Sequence, residues 1–224
     1  NRLMDAIEYS DQSPWPVAAD GGGASLTKRL IHLPTDNVAS WRSSLTTRGT
    51  PGAFEDTPDM STLGISEAGD GFVEFANVGD DPIDLEGHLI GSSSGEQYLF
   101  PVASIAAKSL HVVTFDQLGF QPAPDDRLFL YSPKRLQVLD GIRVLEMGSA
   151  RPPREVTGQF FHPDEDTPGE ANKITFEQAI VINEIMYHPR PVFPSLGNST
   201  GETLFAGDAL WRYHATNGRP GDDW

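Results

Sequence analysis

Apolar and polar residues alternate along this chain in short runs, separated by glycine, proline and acidic turns. That is the period-two pattern of half-buried strands. Residues 72–90 set it out most fully. Phe72, Val73 and Phe75 predict a strand, because aromatic and β-branched side chains fit a pleated surface. Residues 77–82 supply turn chemistry: Gly79 is available for φ > 0, and Pro82 has no N–H for a central ladder. Ile83 and Leu85 then alternate with Asp84 and Glu86, Gly87 breaks the run, and His88-Leu89-Ile90 resumes it. Further strands are predicted at residues 3–9, 24–30, 63–67, 98–101 and 109–115. A hairpin is expected from 126–131 and 136–144 around Ser132-Pro133-Lys134, and one helical turn within 116–120. Many short strands with little helix predict an all-β fold, an antiparallel β-sandwich. Its buried positions are expected to include Phe72, Phe75, Ile83, Leu85, Leu89, Val113 and Leu128.

Composition narrows the function classes. The 224 residues suffice for one large all-β domain, or for one domain with flanking pieces. A hydrophobic share of 38%, with 22 Gly and 18 Pro, fits a thin sandwich rich in turns. Sixteen Lys and Arg against 32 Asp and Glu give a net charge of −16. Nucleic acid is thereby excluded as a partner, because phosphate binding needs clustered cations. No apolar run reaches the roughly 18 residues of a membrane span. The chain has no cysteine, so its redox compartment cannot be read from disulfides. It begins at Asn1 and stops at Trp224 inside an unfinished motif, and a fragment of something longer is expected.

Two landmarks recur at one spacing. Thr50-Pro51-Gly52 returns as Thr167-Pro168-Gly169, and Ile65-Ser66-Glu67 as Ile182-Asn183-Glu184, both 117 residues on. A unit near that length suits a single sandwich domain. Phe72-Val73-Glu74-Phe75-Ala76-Asn77, followed by Pro82-Ile83-Asp84-Leu85-Glu86-Gly87-His88-Leu89, resembles the signature of the lamin tail domain. His88 stands where that family usually has Trp, and Ala76 where an aromatic is common. Pro14-Trp15-Pro16, Asp20-Gly21, Trp41-Arg42 and Thr50-Pro51-Gly52 resemble the ending of such a domain. Residues 1–56 are therefore expected to be the C-terminal part of a first lamin-tail-like unit, and 57–173 a complete one. Residues 174–224 would open a third at Val181-Ile182-Asn183-Glu184 and run into a segment resembling a jelly-roll, with Trp211-Arg212-Tyr213 and Asp222-Asp223-Trp224. The resemblance implies an immunoglobulin-like sandwich in a binding or structural module of bacterial type, and a fold alone names no ligand.

Candidate chemistry is sparse. Gly91-Ser92-Ser93-Ser94-Gly95 satisfies the nucleophile-elbow pattern, but the next run is a strand and not the helix that motif needs, so a hairpin loop is the reading. The six histidines lack metal-ligand spacing and read as packing or surface residues, as do Trp15 and Trp41. Clustered carboxylates at Asp164, Glu165 and Asp166, and at Asp80 and Asp81, are the candidate Ca²⁺ ligands, with solvated turns as the plain alternative. Trp211, Tyr213 and Trp224 are candidate carbohydrate-stacking residues. No catalytic or other cofactor-binding residue is assigned. The expectation is a non-enzymatic structural or binding module of a secreted or cell-surface protein, serving adhesion, spacing or extracellular assembly. Its partners would be protein or carbohydrate at the cell surface, or copies of itself through strands 3–9 and 181–187, a head-to-tail contact that can build filaments. The alternatives are an accessory region of a larger hydrolase or kinase-like enzyme, and a carbohydrate-binding module.

Overall fold

The computed structural model describes residues 6–53, 55, 61–156 and 158–176. The chain divides into two compact units, Asn1–Thr175 and Phe176–Trp224. Past Phe176 the second unit lies outside the described residues, as do the expected strand 181–187 and the aromatics Trp211, Tyr213 and Trp224.

Near the N-terminus β1 (Leu26–Lys28) pairs antiparallel with β2 (Trp41–Ser43). The sandwich follows, with β3 (Leu63–Gly69), β4 (Phe72–Asn77), β5 (Ile83–Asp84), β6 (Leu89–Ser92), β7 (Gln97–Leu99) and β8 (Ser104–Ile105). It continues through β9 (Ser109–Thr114), the single-turn helix α1 (Phe115–Leu118), β10 (Arg127–Tyr131), β11 (Val138–Arg143) and β12 (Ser149–Ala150). One sheet runs β12-β3-β4-β9 and the other β11-β10-β6-β7, while β5 and β8 form a small third pair. All pairings are antiparallel. The fold is thus all-β, an antiparallel sandwich, as the alternation predicts.

Between the sheets Ile65, Val73, Phe75, Leu85, Ile90, Phe100, Ile105, Leu128, Leu130 and Ile142 form one apolar cluster. Phe75 meets Phe100 edge to face at 5.0 Å. The turn after β4 is held by Asn77: its amide donates to the Asp81 carbonyl at 2.8 Å, and its Oδ1 accepts from the Gly79 N–H at 2.9 Å. The left-handed residue of this stretch is Gly87, at φ 76°. Thr114 and Gln117 close a capping box on α1, and Gly119 ends it at φ 77°.

Several expectations need correction. Residues 6–9 form no strand, and the rest of the expected strand 3–9 lies outside the described residues. Alternation alone makes no ladder where no neighbouring strand supplies partners. The strand expected at 24–30 shortens to Leu26–Lys28. Ile83 and Leu89 are half-buried. Leu89 belongs to a second cluster, against Phe129 and Tyr131, on the outer side of its sheet.

That second cluster is roofed by the N-terminal segment. A short 3-10 turn, Val17–Ala19, sets Ala18 onto β11 at Gly141, where a Cβ would stand 2.8 Å from the Ala18 nitrogen. The Tyr131 hydroxyl donates to the Gly22 carbonyl at 3.0 Å, Arg127 pairs with Asp20 at 2.7 Å, and the Val138 N–H donates to the Leu45 carbonyl at 2.8 Å. Gly141→Ala should therefore push the N-terminal segment off the sheet, at about 1–3 kcal/mol. Limited proteolysis should then cut within residues 11–24 well before the sandwich, and equal resistance in both proteins would contradict the close approach.

Candidate functional site

The most unusual chemistry in the described residues is a pair of buried carboxylates opposite one another. From Leu63 to Ile65, β3 pairs regularly with β4, setting Ile65 against Phe75. The register then shifts, and Glu67 faces Glu74. Ser66 is the extra residue of this β-bulge. Strict alternation would have put Glu67 in the core beside Leu63 and Ile65; the bulge turns it to the outer face and lets Ala68 join the core. Glu67 and Glu74 are each 0% exposed.

Residues 167–172 cover the pair. The Thr167 N–H reaches both carboxylate oxygens of Glu67 at 3.3 Å, and its hydroxyl donates to Oε2 at 2.9 Å. The Gly169 N–H donates to Glu74 Oε2 at 2.7 Å, from a residue at φ 81° that favours glycine. The Asn172 amide donates to the Ser66 carbonyl at 3.1 Å and the Arg151 carbonyl at 2.9 Å. Glu74 Oε1 is buried without a partner. Burial pushes the pKa of both carboxyls up; the Thr167 donors oppose this at Glu67, as the Gly169 N–H does at Glu74. Asp166 adds to the rise at Glu67, and Glu67 to that at Glu74.

A second buried charge cluster adjoins the first. Arg151 grips Asp140 through two bonds, Nη1 to Oδ2 at 2.6 Å and Nη2 to Oδ1 at 2.8 Å. Nη1 also donates to the carbonyls of Ile65 at 2.9 Å and Val156 at 2.8 Å, and Asp140 accepts from the Ile65 N–H at 2.7 Å. The guanidinium lies 4.0 Å from the centre of the Phe160 ring. Together the two clusters tie β3, β11, β12 and the closing loop. Their chemistry is to hold backbone groups and, at the glutamates, to keep two carboxyls whose pKa burial raises.

The residues singled out in sequence fall elsewhere. Asp164 accepts from the Thr175 hydroxyl at 2.7 Å, Glu165 pairs with Lys173, and Asp166 accepts from the Asp70 N–H at 3.0 Å. Asp80 pairs with Lys108 at 3.1 Å, while Asp81 is exposed and gives its carbonyl to Asn77. Three neighbouring carboxylates thus point to three different partners, and among the described residues no group of three or more His, Asp or Glu is placed to hold a metal ion. Ser93 and Ser94, in the hairpin between β6 and β7, donate to Asp126 Oδ1 at 3.1 and 2.6 Å. His88 is half-buried, with Nδ1 unpartnered and its pKa lowered by burial. Trp41 donates its indole N–H to the Thr35 carbonyl at 2.9 Å and, with Trp15, lines a cleft of about 450 Å³ under the N-terminal segment. The glutamate pair escaped the sequence reading, although Ile65-Ser66-Glu67 and Thr167-Pro168-Gly169 were already marked by their recurrence.

A carboxyl whose pKa is raised by folding contributes stability that is complete below its unfolded value, near 4.5, and is lost as pH rises through the folded value. Glu74→Gln removes that pH-dependent loss. The variant should gain on the wild type as pH climbs from 4.5 to neutral, on the order of 1–3 kcal/mol. Urea unfolding across that range measures the difference, and a gap independent of pH would contradict the assignment. No protein-family model and no curated protein matches this chain, so its chemistry is read from its own residues.

Proposed function

We propose that the chain is a non-catalytic structural module of a secreted or cell-surface bacterial protein, assembled from tandem immunoglobulin-like units of the lamin tail kind. One observation carries the reading. The two landmarks that recur 117 residues apart are the two sides of one contact: Thr167, of the Thr-Pro-Gly landmark, donates to Glu67, of the Ile-Ser-Glu landmark. A closing loop and an opening strand separated by 100 positions are thereby fastened together. Such a clasp suits a repeated unit that must hold its shape while chain continues on both sides. Thr50-Pro51-Gly52 and Ile182-Asn183-Glu184 carry the same two sequence landmarks, and Ile182-Asn183-Glu184 lies outside the described residues. The buried charges support a structural role as well, because Glu67, Asp140 and Arg151 spend their bonds on the fold's own backbone and on each other.

Pulling on the chain between residues 61 and 176 tests this. A spacer fastened by the clasp should give way in a single event, releasing about 3.5 Å for each residue freed. Thr167→Val, which keeps the shape and removes the hydroxyl, should lower the force of that event. Gradual lengthening at low force, or a Thr167→Val trace that overlies the wild type, would contradict the proposal.

A further inference from the structure

The cleft under the N-terminal segment has the make-up of a ligand site. Its volume, about 450 Å³, falls within the range of small-molecule pockets. Residues 11–18, β2, β11 and residues 158–160 all contribute to its walls. Trp15, Trp41 and Phe160 line it and are only half-buried, so each shows part of its ring. Trp41 is pinned in place. Its indole N–H is spent on the Thr35 carbonyl, and Lys28 lies over one face of the ring at 5.7 Å. Lys28 takes no part in the cleft wall, so the face it covers is turned away from the cleft.

Two side chains of the wall carry a buried polar atom that the fold does not satisfy. Among the described residues, Ser43 Oγ has no hydrogen-bond partner, and neither has Arg151 Nε, on a side chain 3% exposed. Buried polar groups are rarely left so, and two on the wall of one cleft point to something that meets them there. The Nε–H asks for an acceptor oxygen, while a serine hydroxyl takes either a donor or an acceptor. Charge asks for nothing more: none of the four lining arginines, Arg29, Arg42, Arg143 and Arg151, is without a partner. The matching ligand is neutral, with an apolar face to lay on an indole and hydroxyls to reach the two unsatisfied groups.

We propose that this cleft binds a neutral carbohydrate chain, with a pyranose ring stacked on Trp41 and sugar hydroxyls bonded to Ser43 Oγ and Arg151 Nε. The C–H bonds on one side of a pyranose make an apolar face that the negative face of an indole attracts. Its hydroxyls donate and accept, as the two wall groups require. A neutral sugar is also spared the repulsion that a net charge of −16 imposes on an acidic one. The proposal rests on the cleft alone and not on the structural-module reading above.

Calorimetric titration of the 224-residue chain tests it, with three neutral tetramers as probes: β-1,4-linked glucose, α-1,4-linked glucose and β-1,4-linked N-acetylglucosamine. At least one should bind with a dissociation constant below about 1 mM. Trp41→Ala should weaken that binding about tenfold or more. Ser43→Ala is the sharper variant, because its hydroxyl makes no bond to the fold. The melting temperature should stay at the wild-type value or above it, while affinity falls roughly threefold to tenfold. A tetramer of galacturonate should bind at least about tenfold more weakly than the best neutral sugar. Three results would overturn the proposal: no binding of any neutral tetramer, an affinity unchanged in either variant, or galacturonate bound as tightly as the neutral sugars.

Discussion

Two carboxylates set face to face between neighbouring strands, both fully buried, are tolerable only if donors reach them from outside the sheet. In this chain the donors come from a loop 100 residues downstream, and much of the sandwich follows from that requirement. The bulge at Ser66 turns Glu67 outward, and Glu74 lies opposite it on β4. Thr167 and Gly169 satisfy three of the four oxygens, which fixes the loop's path and calls for a glycine at φ 81°. Asn172 then reaches back to the Ser66 and Arg151 carbonyls. Arg151 in turn holds Asp140 and the Ile65 carbonyl. The charged groups thus form one continuous tie from the opening strand to the closing loop.

The same economy governs the other sheet. Phe129 and Tyr131 point away from the core and would be bare without the N-terminal segment. That segment can lie close because Gly22 and Gly141 carry no side chain where Phe129 and Ala18 press against them. A Cβ on Gly22 would stand 2.6 Å from the Phe129 ring. Each sheet therefore has an outer cover drawn from sequence outside its own strands: residues 167–172 over one, residues 17–24 over the other. Burying both faces explains how a chain with 38% hydrophobic residues still seals its strands.

The strands themselves were legible because burial of one face enforces alternation: residues 63–69, 72–77, 109–114, 127–131 and 138–143 all lie where the pattern sets them. The helical turn expected within 116–120 forms slightly earlier, at 115–118, where Thr114 and Gln117 cap it. What alternation could not show is which apolar residues face outward onto a cover. Leu89, Phe129 and Tyr131 read like core residues, and the segment that buries them comes from more than 60 positions earlier in the chain. Nor could alternation show a bulge, which adds one residue and reverses every later assignment on its strand. Glu67 was consequently unremarkable in sequence, and the exposed acidic triplet 164–166 drew attention that the buried pair merited. The signal that could have found it was the shared recurrence of the two landmarks, since segments that recur together at one spacing are candidates for mutual contact.

The claim that the closing loop and the buried glutamates act as one unit is tested most directly by a double-mutant cycle on Glu67 and Thr167. Unfolding free energies are needed for the wild type, Glu67→Met, Thr167→Val and the double variant, at neutral pH. A clasp predicts strong non-additivity, with a coupling on the order of 1–3 kcal/mol, because Glu67→Met strands the buried Thr167 hydroxyl and Thr167→Val takes one donor from the Glu67 carboxylate. Two effects that add to within about 0.5 kcal/mol would contradict it, and the loop would then be a cover that touches the glutamates without holding them.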